Sequence, residues 1–503
     1  MPQISQMAEI PVHRIAVLVF CALLSLAASA HDKVASNVGT ALEQSGKAEI
    51  LVTLADQADI ASLAEKHSGD DRLVSSVAAL RARAAQSQAP LRAWLDKRGV
   101  KYRSFWVANF IALEADAGLI DKLAARRDVA IIELDSRMVV APRAPGPVRE
   151  FKAVNAIEAG VNQINAPALW TMGFRGQNVL VAGQDTGYQW DHPALKNQYA
   201  GWNGTSASHD YTWHDAIHSS SGPCPGDSPA PCDDNNHGTH TMGTMVGDDG
   251  GSNQIGVAPG ARWIACRNMD QGNGTPSTYS ECFQWLLAPT DSAGNNPDPM
   301  RAPHVINNSW GCPPEEQCTT PDILRTVVEN VRNAGILIVA SAGNYGSGGC
   351  STVRDPPAIY AASFSVGAIG GTSMAGFSSR GPVLVDGSNR LKPDVVAPGV
   401  SVRSSVRGGG YASFNWSGTS MAGPHVAGVA ALLMSVDPTL KRDPARMEAL
   451  LRDTAVADIT TTENCGGTAS PGTVPNNTFG YGRVDALSAA RNGLGLLNRN
   501  GFE

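Results

Sequence analysis

The sequence predicts an α/β fold in which a parallel β-sheet is flanked by helices on both faces and preceded by a small α+β domain. From about residue 161, short apolar runs alternate with helical stretches, as in parallel sheets covered on both sides. Residues 31–140 have a different pattern and contain no cysteine. The chain has 503 residues, which is enough for two or three domains.

Residues 1–30 predict a secretory signal peptide. His13 and Arg14 precede an apolar run over residues 15–27, and Ala28-Ser29-Ala30 supplies a small-residue cleavage pattern. This run is too short for a membrane span, and no later segment has eighteen unbroken apolar residues. We expect a secreted protein, extracellular or periplasmic, with no membrane span in its mature form.

Residues 31–140 predict a small α+β sandwich with two helices on one face of a sheet. The expected strands are 49–54, 105–115 and 129–134, and the expected helices are 73–97 and 119–126. An independent binding domain is the plain alternative, but the position behind a signal favours a propeptide. Residues 141–155 begin with a proline-rich stretch, which predicts an extended processing linker.

The remainder, residues 156–503, predicts the larger α/β unit. Its expected strands are 178–184, 262–266, 305–309, 336–341 and 364–368, and its clearest helix is 322–334. In such sheets, binding sites lie at the carboxyl ends of the strands.

The cysteines bear on whether the protein has disulfides, and the overall charge bears on whether it binds nucleic acid. Eight of the nine cysteines follow residue 220, and an even number in an exported chain predicts disulfides. Cys224 with Cys232, and Cys312 with Cys318, are expected to pair locally, while the pairing of the other four stays open. No CxxC spacing suggests zinc. The net charge of −7 gives no reason to expect nucleic-acid binding.

Ser420 begins an apolar, alanine-rich helix in the segment SGTSMAGPHVAG. We expect Pro424 in the first turn, where a missing N–H is harmless. A helix N-terminus favours developing negative charge, so Ser420 is a candidate nucleophile that needs a base. A capped core helix is the plain alternative.

Two further residues complete a possible catalytic set. Asp185 directly follows the strand 178–184, and His237 opens the segment HGTHTMGTMVG. An imidazole between a carboxylate and a hydroxyl can take the serine proton and return it to the leaving amine. For the oxyanion hole we expect the backbone N–H of Ser420 and the side chain of Asn344, which follows the strand ending at Ser341.

These motifs resemble the subtilisin-like serine peptidases over roughly residues 155–490. The resemblance rests on VAGQDTG, NNHGTHTMGTMVG, GVAPGA, VINNSWG, IVASAGN and SGTSMAGPHVAG, with WLLAP and INNSWG closer to the bacillopeptidase-F-like branch. It implies a serine endopeptidase that acts on polypeptides through an acyl-enzyme. It also implies a self-processing zymogen whose own propeptide is an intramolecular inhibitor, and we expect a monomer.

The resemblance also assigns the substrate-binding segments. They are Ser309-Trp310-Gly311 and Ser341-Ala342-Gly343, between which a peptide would add as an antiparallel strand. The floor of the specificity pocket falls near Arg354 and Asp355. These opposite charges would either pair at the surface or tune which side chain is accepted.

No cofactor is expected for the chemistry. His237 and His240 lack the HExxH spacing of a zinc site, so we expect no metal there. The run Asp233-Asp234-Asn235-Asn236 offers oxygen ligands of the kind that calcium prefers, but it equally fits a solvated loop. The Asp expected after the HP dipeptide in many relatives is Ala194 here.

Two other functions compete with the peptidase. An esterase of the α/β-hydrolase class uses the motif G-x-S-x-G and the order Ser, acid, His. Here Ala422 replaces the second glycine and the order is Asp, His, Ser. A non-catalytic binding protein with the same fold would not need all four of these residues.

Overall fold

The computed structural model describes residues 30–135, 138–139, 156–220, 222–311, 320–413, 415–466 and 473–495. These residues form an N-terminal unit (30–135) and a larger second unit (156–495). The predicted linker 141–155 and all of the predicted signal peptide except Ala30 lie outside the described residues, and the domain boundaries stay predictions.

The N-terminal unit is a four-stranded antiparallel sheet with helices packed on it. Its strands are β1 (Ala48–Leu54), β2 (Arg103–Phe105), β3 (Phe110–Ala115) and β4 (Val129–Leu134), in the order β2-β3-β1-β4. Its helices are α1 (Ser36–Ser45), α2 (Ile60–Lys66), α3 (Gly69–Asp96) and α4 (Ala117–Ala124). Leu91 and Leu95 of α3 pack with Ile50 and Val52 on one face of the sheet.

The predicted strand 105–115 is wrong as one element. It forms a hairpin, with β2 and β3 joined by a turn in which Asn109 has a φ of 46°. The apolar run hid the turn, because asparagine is one of the few residues that tolerate this backbone region. Helices α1 and α2 are short, which is why periodicity alone missed them.

The second unit is built on an eight-stranded, mostly parallel sheet. Two short strands precede this sheet in the chain. They are β5 (Met138–Val139), which lies between the two units in sequence, and β6 (Ala156–Ile157). The sheet contains β7 (Leu180–Asp185), β8 (Trp213–Asp215), β10 (Arg262–Arg267), β12 (Val305–Asn308), β13 (Leu337–Ser341), β14 (Phe364–Gly370), β15 (Ser373–Met374) and β16 (Val395–Pro398). The order is β15-β14-β13-β12-β7-β10-β8, with β16 also paired to β14. The remaining short strands are β9 (Asn253–Gln254), β11 (Asn273–Gly274), β17 (Ser404–Val406) and β18 (Gly410–Ala412).

Helices cover both faces of this sheet, which confirms the predicted fold class. They are α5 (Ala159–Gln163), α6 (Ala166–Thr171), α7 (His237–Val246), α8 (Pro276–Leu287), α9 (Arg325–Asn333), α10 (Thr419–Val436), α11 (Pro444–Asp453) and α12 (Ala486–Ser488). Alternate strand residues divide between the faces: Val339 packs toward α10, and Ala340 packs with α8 and α9. The strands at the centre of the sheet are therefore buried on both faces.

Helix α10 is the central helix of the second unit. It is the one helix in the described part of the chain that is long and apolar enough to cross a membrane, but 89% of it is buried inside the protein. It packs on α7 and on the strands β12, β13 and β14. Its apolar composition therefore serves the core of the unit.

The N-terminal unit docks on helices α8 and α9 of the second unit. Arg103 pairs with Glu281 at 2.8 Å. The side-chain oxygen of Gln284 accepts the backbone N–H groups of Trp106 and Val107, and Asn330 donates to the carbonyl of Val107 at 2.7 Å. This face of the small sheet is therefore buried against the larger unit.

Three disulfides lie within the described residues: Cys224–Cys232, Cys266–Cys282 and Cys350–Cys465. The first confirms the predicted local pair, and the other two settle the pairing that the sequence left open. The predicted pair of Cys312 and Cys318 lies outside the described residues.

Candidate functional site

Asp185 and His237 meet at the carboxyl end of the sheet. Asp185 is the last residue of β7, and His237 is the first residue of α7. The ring nitrogen Nδ1 of His237 lies 2.7 Å from Oδ1 of Asp185, and both side chains are buried, with 7% and 1% of their surfaces exposed. This contact fixes the ring, so that Nδ1 carries the proton and Nε2 faces away from the carboxylate.

The charge of His237 depends on this contact. Burial opposes the imidazolium, but the Asp185 carboxylate outweighs it and raises the pKa of His237 above its usual 6.5. Oδ2 of Asp185 is buried without a hydrogen-bond partner among the described residues. The carboxylate therefore directs its charge toward the ring.

Asp233 holds the start of α7 in place. Its carboxylate accepts the backbone N–H groups of Asn235, Asn236 and Thr239, as a capping residue does. It also accepts the hydroxyl of Thr186, the residue after Asp185. Asp233 thus joins Thr186, which follows Asp185, to the start of the helix that begins at His237. The sequence did not predict this role.

Ser420 is the second residue of α10, at the helix N-terminus as predicted. Its hydroxyl donates to the carbonyl oxygen of Ser309 at 3.1 Å, and the hydroxyl of Ser309 donates to the carbonyl oxygen of Ser420 at 2.9 Å. Within the described part of the chain, no hydrogen bond joins Ser420 to His237. The Ser420 hydroxyl is thus held by the neighbouring strand end, and it would have to rotate before it could attack a substrate.

The expected place of Pro424 was wrong. Helix α10 begins at Thr419, so that Pro424 is its sixth residue and lies in the second turn. An N–H at this position would bond to the carbonyl four residues earlier, which belongs to Ser420. The Ser309 hydroxyl supplies the missing donor.

Trp416 links α7 to the start of α10. Its ring stacks on His240 with centroids 4.2 Å apart, and it lies 6.4 Å from the ring of His237. His240 also contacts the carbonyl of Val402 through Nε2, and burial lowers its pKa to about 3. His240 is therefore a neutral packing residue.

Asn344 lies beside the N-terminus of α10. Its side-chain oxygen accepts the N–H of Thr419 at 2.9 Å and the hydroxyl of the same residue at 3.0 Å. This fixes the amide and leaves Nδ2 on an exposed side chain, near the N–H of Ser420. Both groups could donate a hydrogen bond to an oxyanion formed beside Ser420.

The two predicted substrate segments follow neighbouring parallel strands, β12 and β13. The ring of Trp310 stacks on Tyr279 of α8 at 3.6 Å and is buried, so that only its backbone is available to a peptide. Gly343 donates its N–H to Thr419. Ser309, Gly311, Ser341 and Ala342 extend along the same edge as Ser420.

Sequence analysis missed a third backbone segment at this edge. Strand β11 pairs antiparallel with β5, the short strand at residues 138–139. The chain just after the N-terminal unit therefore forms a short antiparallel strand on the second unit. Two residues are too few for any sequence pattern to reveal such a strand.

The acidic run before His237 does not fit a calcium site. Asp233 is engaged by the start of α7, and Asp234 pairs with the buried Arg267 at 2.6 Å. In the described ranges, no group of three or more His, Cys, Asp or Glu side chains is arranged to hold a metal ion. Calcium at another position stays a prediction.

Comparison with known proteins identifies the family of the chain. The model of the subtilase family matches residues 176–482. Bacillopeptidase F of Bacillus subtilis (strain 168) is 35% identical over 94% of this chain, which spans 33% of that relative. Subtilisin E of the same strain is 33% identical over 68% of this chain and 75% of its own length. Subtilisin of Bacillus pumilus is 35% identical over 56% of this chain and 86% of its own length.

The predicted resemblance to the subtilisin-like serine peptidases, including the bacillopeptidase-F-like branch, is confirmed. The chain spans about a third of the length of Bacillopeptidase F. The family match covers the strand that ends at Asp185, the turn that contains Asn344, and the helices that carry His237 and Ser420. The chain belongs to the subtilase family of serine peptidases.

Proposed function

We propose that the chain is the precursor of a secreted serine endopeptidase that hydrolyses polypeptides. The observation that carries this proposal is the buried 2.7 Å contact between Asp185 and His237, at the edge of the sheet where Ser420 opens α10. Secretion is supported by the N-terminal apolar run and by the disulfides.

In the proposed reaction, the Ser420 hydroxyl leaves the Ser309 carbonyl and attacks the carbonyl carbon of the substrate. Nε2 of His237 takes the hydroxyl proton, and Asp185 stabilises the imidazolium. The N–H of Ser420 and Nδ2 of Asn344 donate to the oxyanion. The intermediate collapses as His237 returns the proton to the leaving amine, which produces an acyl-enzyme. Water then repeats these steps and releases the acid.

We further propose that the N-terminal unit is the inhibitory propeptide of this enzyme, which acts as a monomer. Asp135, at the end of this unit, accepts the N–H of Ser277 at the start of α8. The antiparallel pairing of β5 with β11 is what a bound peptide would adopt.

The proposal is tested by Ser420→Ala in the full chain, expressed in a host without other active proteases. The variant should accumulate as an uncleaved precursor by mass spectrometry, and it should not react with a fluorophosphonate probe. Ser435→Ala is the matched control: this serine lies on the same helix and bonds to the carbonyl of Leu432. It should process and label like the wild type. Mature protein from Ser420→Ala would contradict self-processing, and a folded, processed wild type that never labels would contradict the peptidase.

A further inference from the structure

Three buried carboxamide side chains form a hydrogen-bonded chain behind the candidate site. Nδ2 of Asn268 donates to Oε1 of Gln184 at 3.0 Å, and Nε2 of Gln184 donates to Oδ1 of Asn308 at 2.6 Å. Nδ2 of Asn308 then donates to the backbone carbonyl of Val339 at 3.0 Å. The chain of amides therefore runs from the end of β10 across β7 and β12 to β13, which are neighbours at the centre of the sheet.

The surroundings of these amides are apolar. All three side chains are fully buried. Ala182 and Ile306, two residues before Gln184 and Asn308 and hence on the same face of the sheet, belong to a buried apolar cluster. A carboxamide is costly to bury unless it is hydrogen-bonded, whereas a pair of apolar side chains of the same shape fills such a space without that cost. Stability alone therefore does not explain why amides occupy these positions.

Gln184 and Asn308 each precede a residue of the candidate site. Gln184 precedes Asp185, and Asn308 precedes Ser309, whose carbonyl and hydroxyl both bond to Ser420. Strands β7 and β12 pair directly, with Asn308 opposite Gln184. The bond between the two amides therefore cross-links the strand end that carries the proposed acid to the strand end that holds the proposed nucleophile.

The two halves of the candidate site are not joined to each other across the cleft. Within the described residues, His237 bonds to Asp185 but shares no hydrogen bond with Ser420. Proton transfer requires the ring of His237 within hydrogen-bond reach of the Ser420 hydroxyl, so that a shift of β7 against β12 alters the geometry of the reaction. Because hydrogen bonds are directional, the bond between the two amides resists such a shift more strongly than apolar contacts would.

We propose that Gln184 and Asn308 are positioning residues, which hold Ser420 at the distance from His237 that proton transfer requires. Because both side chains are fully buried, they act through the residues that follow them in the chain and not on the substrate. This inference rests on the proposed peptidase function and adds two residues to the support of its site.

The first test is Gln184→Met, which keeps the length of the side chain and removes the amide. We expect kcat on a neutral peptide to fall by about 10- to 100-fold, as a small misplacement of the reacting groups does. KM should change by less than about 3-fold, because the substrate-binding segments are untouched. Each variant is matured in trans with tagged wild-type enzyme, which is then removed, and its active sites are counted with a fluorophosphonate.

Asn477→Leu is the matched control for the loss of a buried amide. Asn477 is buried, and its Nδ2 donates to the backbone carbonyl of Cys465 at 3.2 Å. Its kcat should equal that of the wild type, because it has no bond to the strands that carry the site. A folded Gln184→Met with the kcat of the wild type, or with a loss confined to KM, would overturn the inference.

The second test adds Asn308→Leu, alone and together with Gln184→Met. Because the two side chains act through their mutual bond, the double variant should lose no more in kcat than either single variant. Fully additive losses would overturn the inference. If these variants do not fold, Gln184→Asn decides the question by the same measurement of kcat and KM. It keeps the amide but is one methylene too short for the bond, so that an unchanged kcat would again overturn the inference.

Failure of this inference can be distinguished from failure of the proposed function. A wild type that reacts with the fluorophosphonate and cleaves peptides, with variants of unchanged kcat, keeps the peptidase function and overturns the positioning role. A folded, processed wild type that neither labels nor cleaves would contradict the peptidase function, and the positioning role would fail with it.

Discussion

At the scale of single residues, His237 is the group whose charge decides whether the site is ready to react. Burial of its ring lowers its pKa, but the attraction of the Asp185 carboxylate outweighs burial, so that the pKa is raised. The neutral ring is the base, whereas the protonated ring cannot accept the Ser420 proton. Activity is therefore lost as the pH falls through the raised pKa.

We expect kcat/KM to decline already above pH 6.5 on acidification, because the pKa of His237 is raised from that value. A pH–rate profile on one neutral peptide measures this. In Asp185→Asn, which removes the cause of the shift, the residual activity should be far lower and its inflection should move to lower pH. A profile that is flat from pH 9 down to pH 5 would show that His237 is not the base.

The roles of some residues of the candidate site could be predicted from the sequence, and those of others could not. Asp185, His237, Asn344 and Ser420 stand next to strand ends or helix starts, where elementary fold rules place functional groups. Asp233 caps the nearby helix α7, but its bond to Thr186 joins distant parts of the chain. The same holds for the reciprocal bonds of Ser309 with Ser420. Only the packed structure shows these long-range contacts.

At the scale of elements, the N-terminal half of α10 is supported from outside the helix. Pro424 leaves the Ser420 carbonyl without a helical donor, and the hydroxyl of Ser309 at the end of β12 replaces it. Strand and helix are thus joined at the nucleophile by two reciprocal hydrogen bonds. The helix could be predicted from its composition, but this junction could not.

We expect Ser309→Ala to lower the free energy of unfolding by about 1–3 kcal/mol, because a buried carbonyl loses its donor. Denaturant unfolding should be measured in the Ser420→Ala background, where self-digestion is absent and the backbone carbonyl is kept. Adding Pro424→Ala supplies an N–H and should recover part of the loss, while Pro424→Ala alone serves as the control. If Ser309→Ala lowers the free energy of unfolding equally with and without Pro424→Ala, this explanation is contradicted.

The main strands were predictable because each contains a short apolar run, most of which is buried. The central strand predicted at 305–309 is observed as Val305–Asn308, and the outer strand predicted at 129–134 is observed over that range. The strands of only two residues, such as β5 and β11, and the hairpin at Asn109 depend on turns and tertiary contacts that periodicity does not encode.

At the scale of the whole molecule, the N-terminal unit and the second unit meet through charged as well as apolar contacts. Glu281 of α8 receives Arg103 from the N-terminal unit, together with His214 and His218 from its own unit. Although burial opposes its charge, bonds from these histidines lower the pKa of Glu281 to about 2. The acceptor for Arg103 therefore stays charged at all pH values of practical interest. Nothing in the sequence predicted which faces of the two units would meet.

We expect Arg103→Ala to raise the dissociation constant of the cleaved N-terminal unit by about 10-fold or more, because a charge-assisted hydrogen bond across the interface is lost. Activity during maturation of the full chain should then appear after a shorter lag, measured with a fluorogenic peptide. Lys47→Ala is the matched control, since its partner Glu114 lies in the same unit and both side chains are exposed. Identical lags for Arg103→Ala and wild type would contradict this role.

The bridge between Cys350 and Cys465 joins two points 115 residues apart. That interval includes Ser420 and the exposed loop around Val385. A protease that nicks itself in this loop would not shed the piece carrying its nucleophile, because the sulfur bond keeps both fragments attached. We therefore expect the two fragments of a chain cleaved in this loop to stay covalently linked under oxidising conditions and to separate only after the disulfide is reduced.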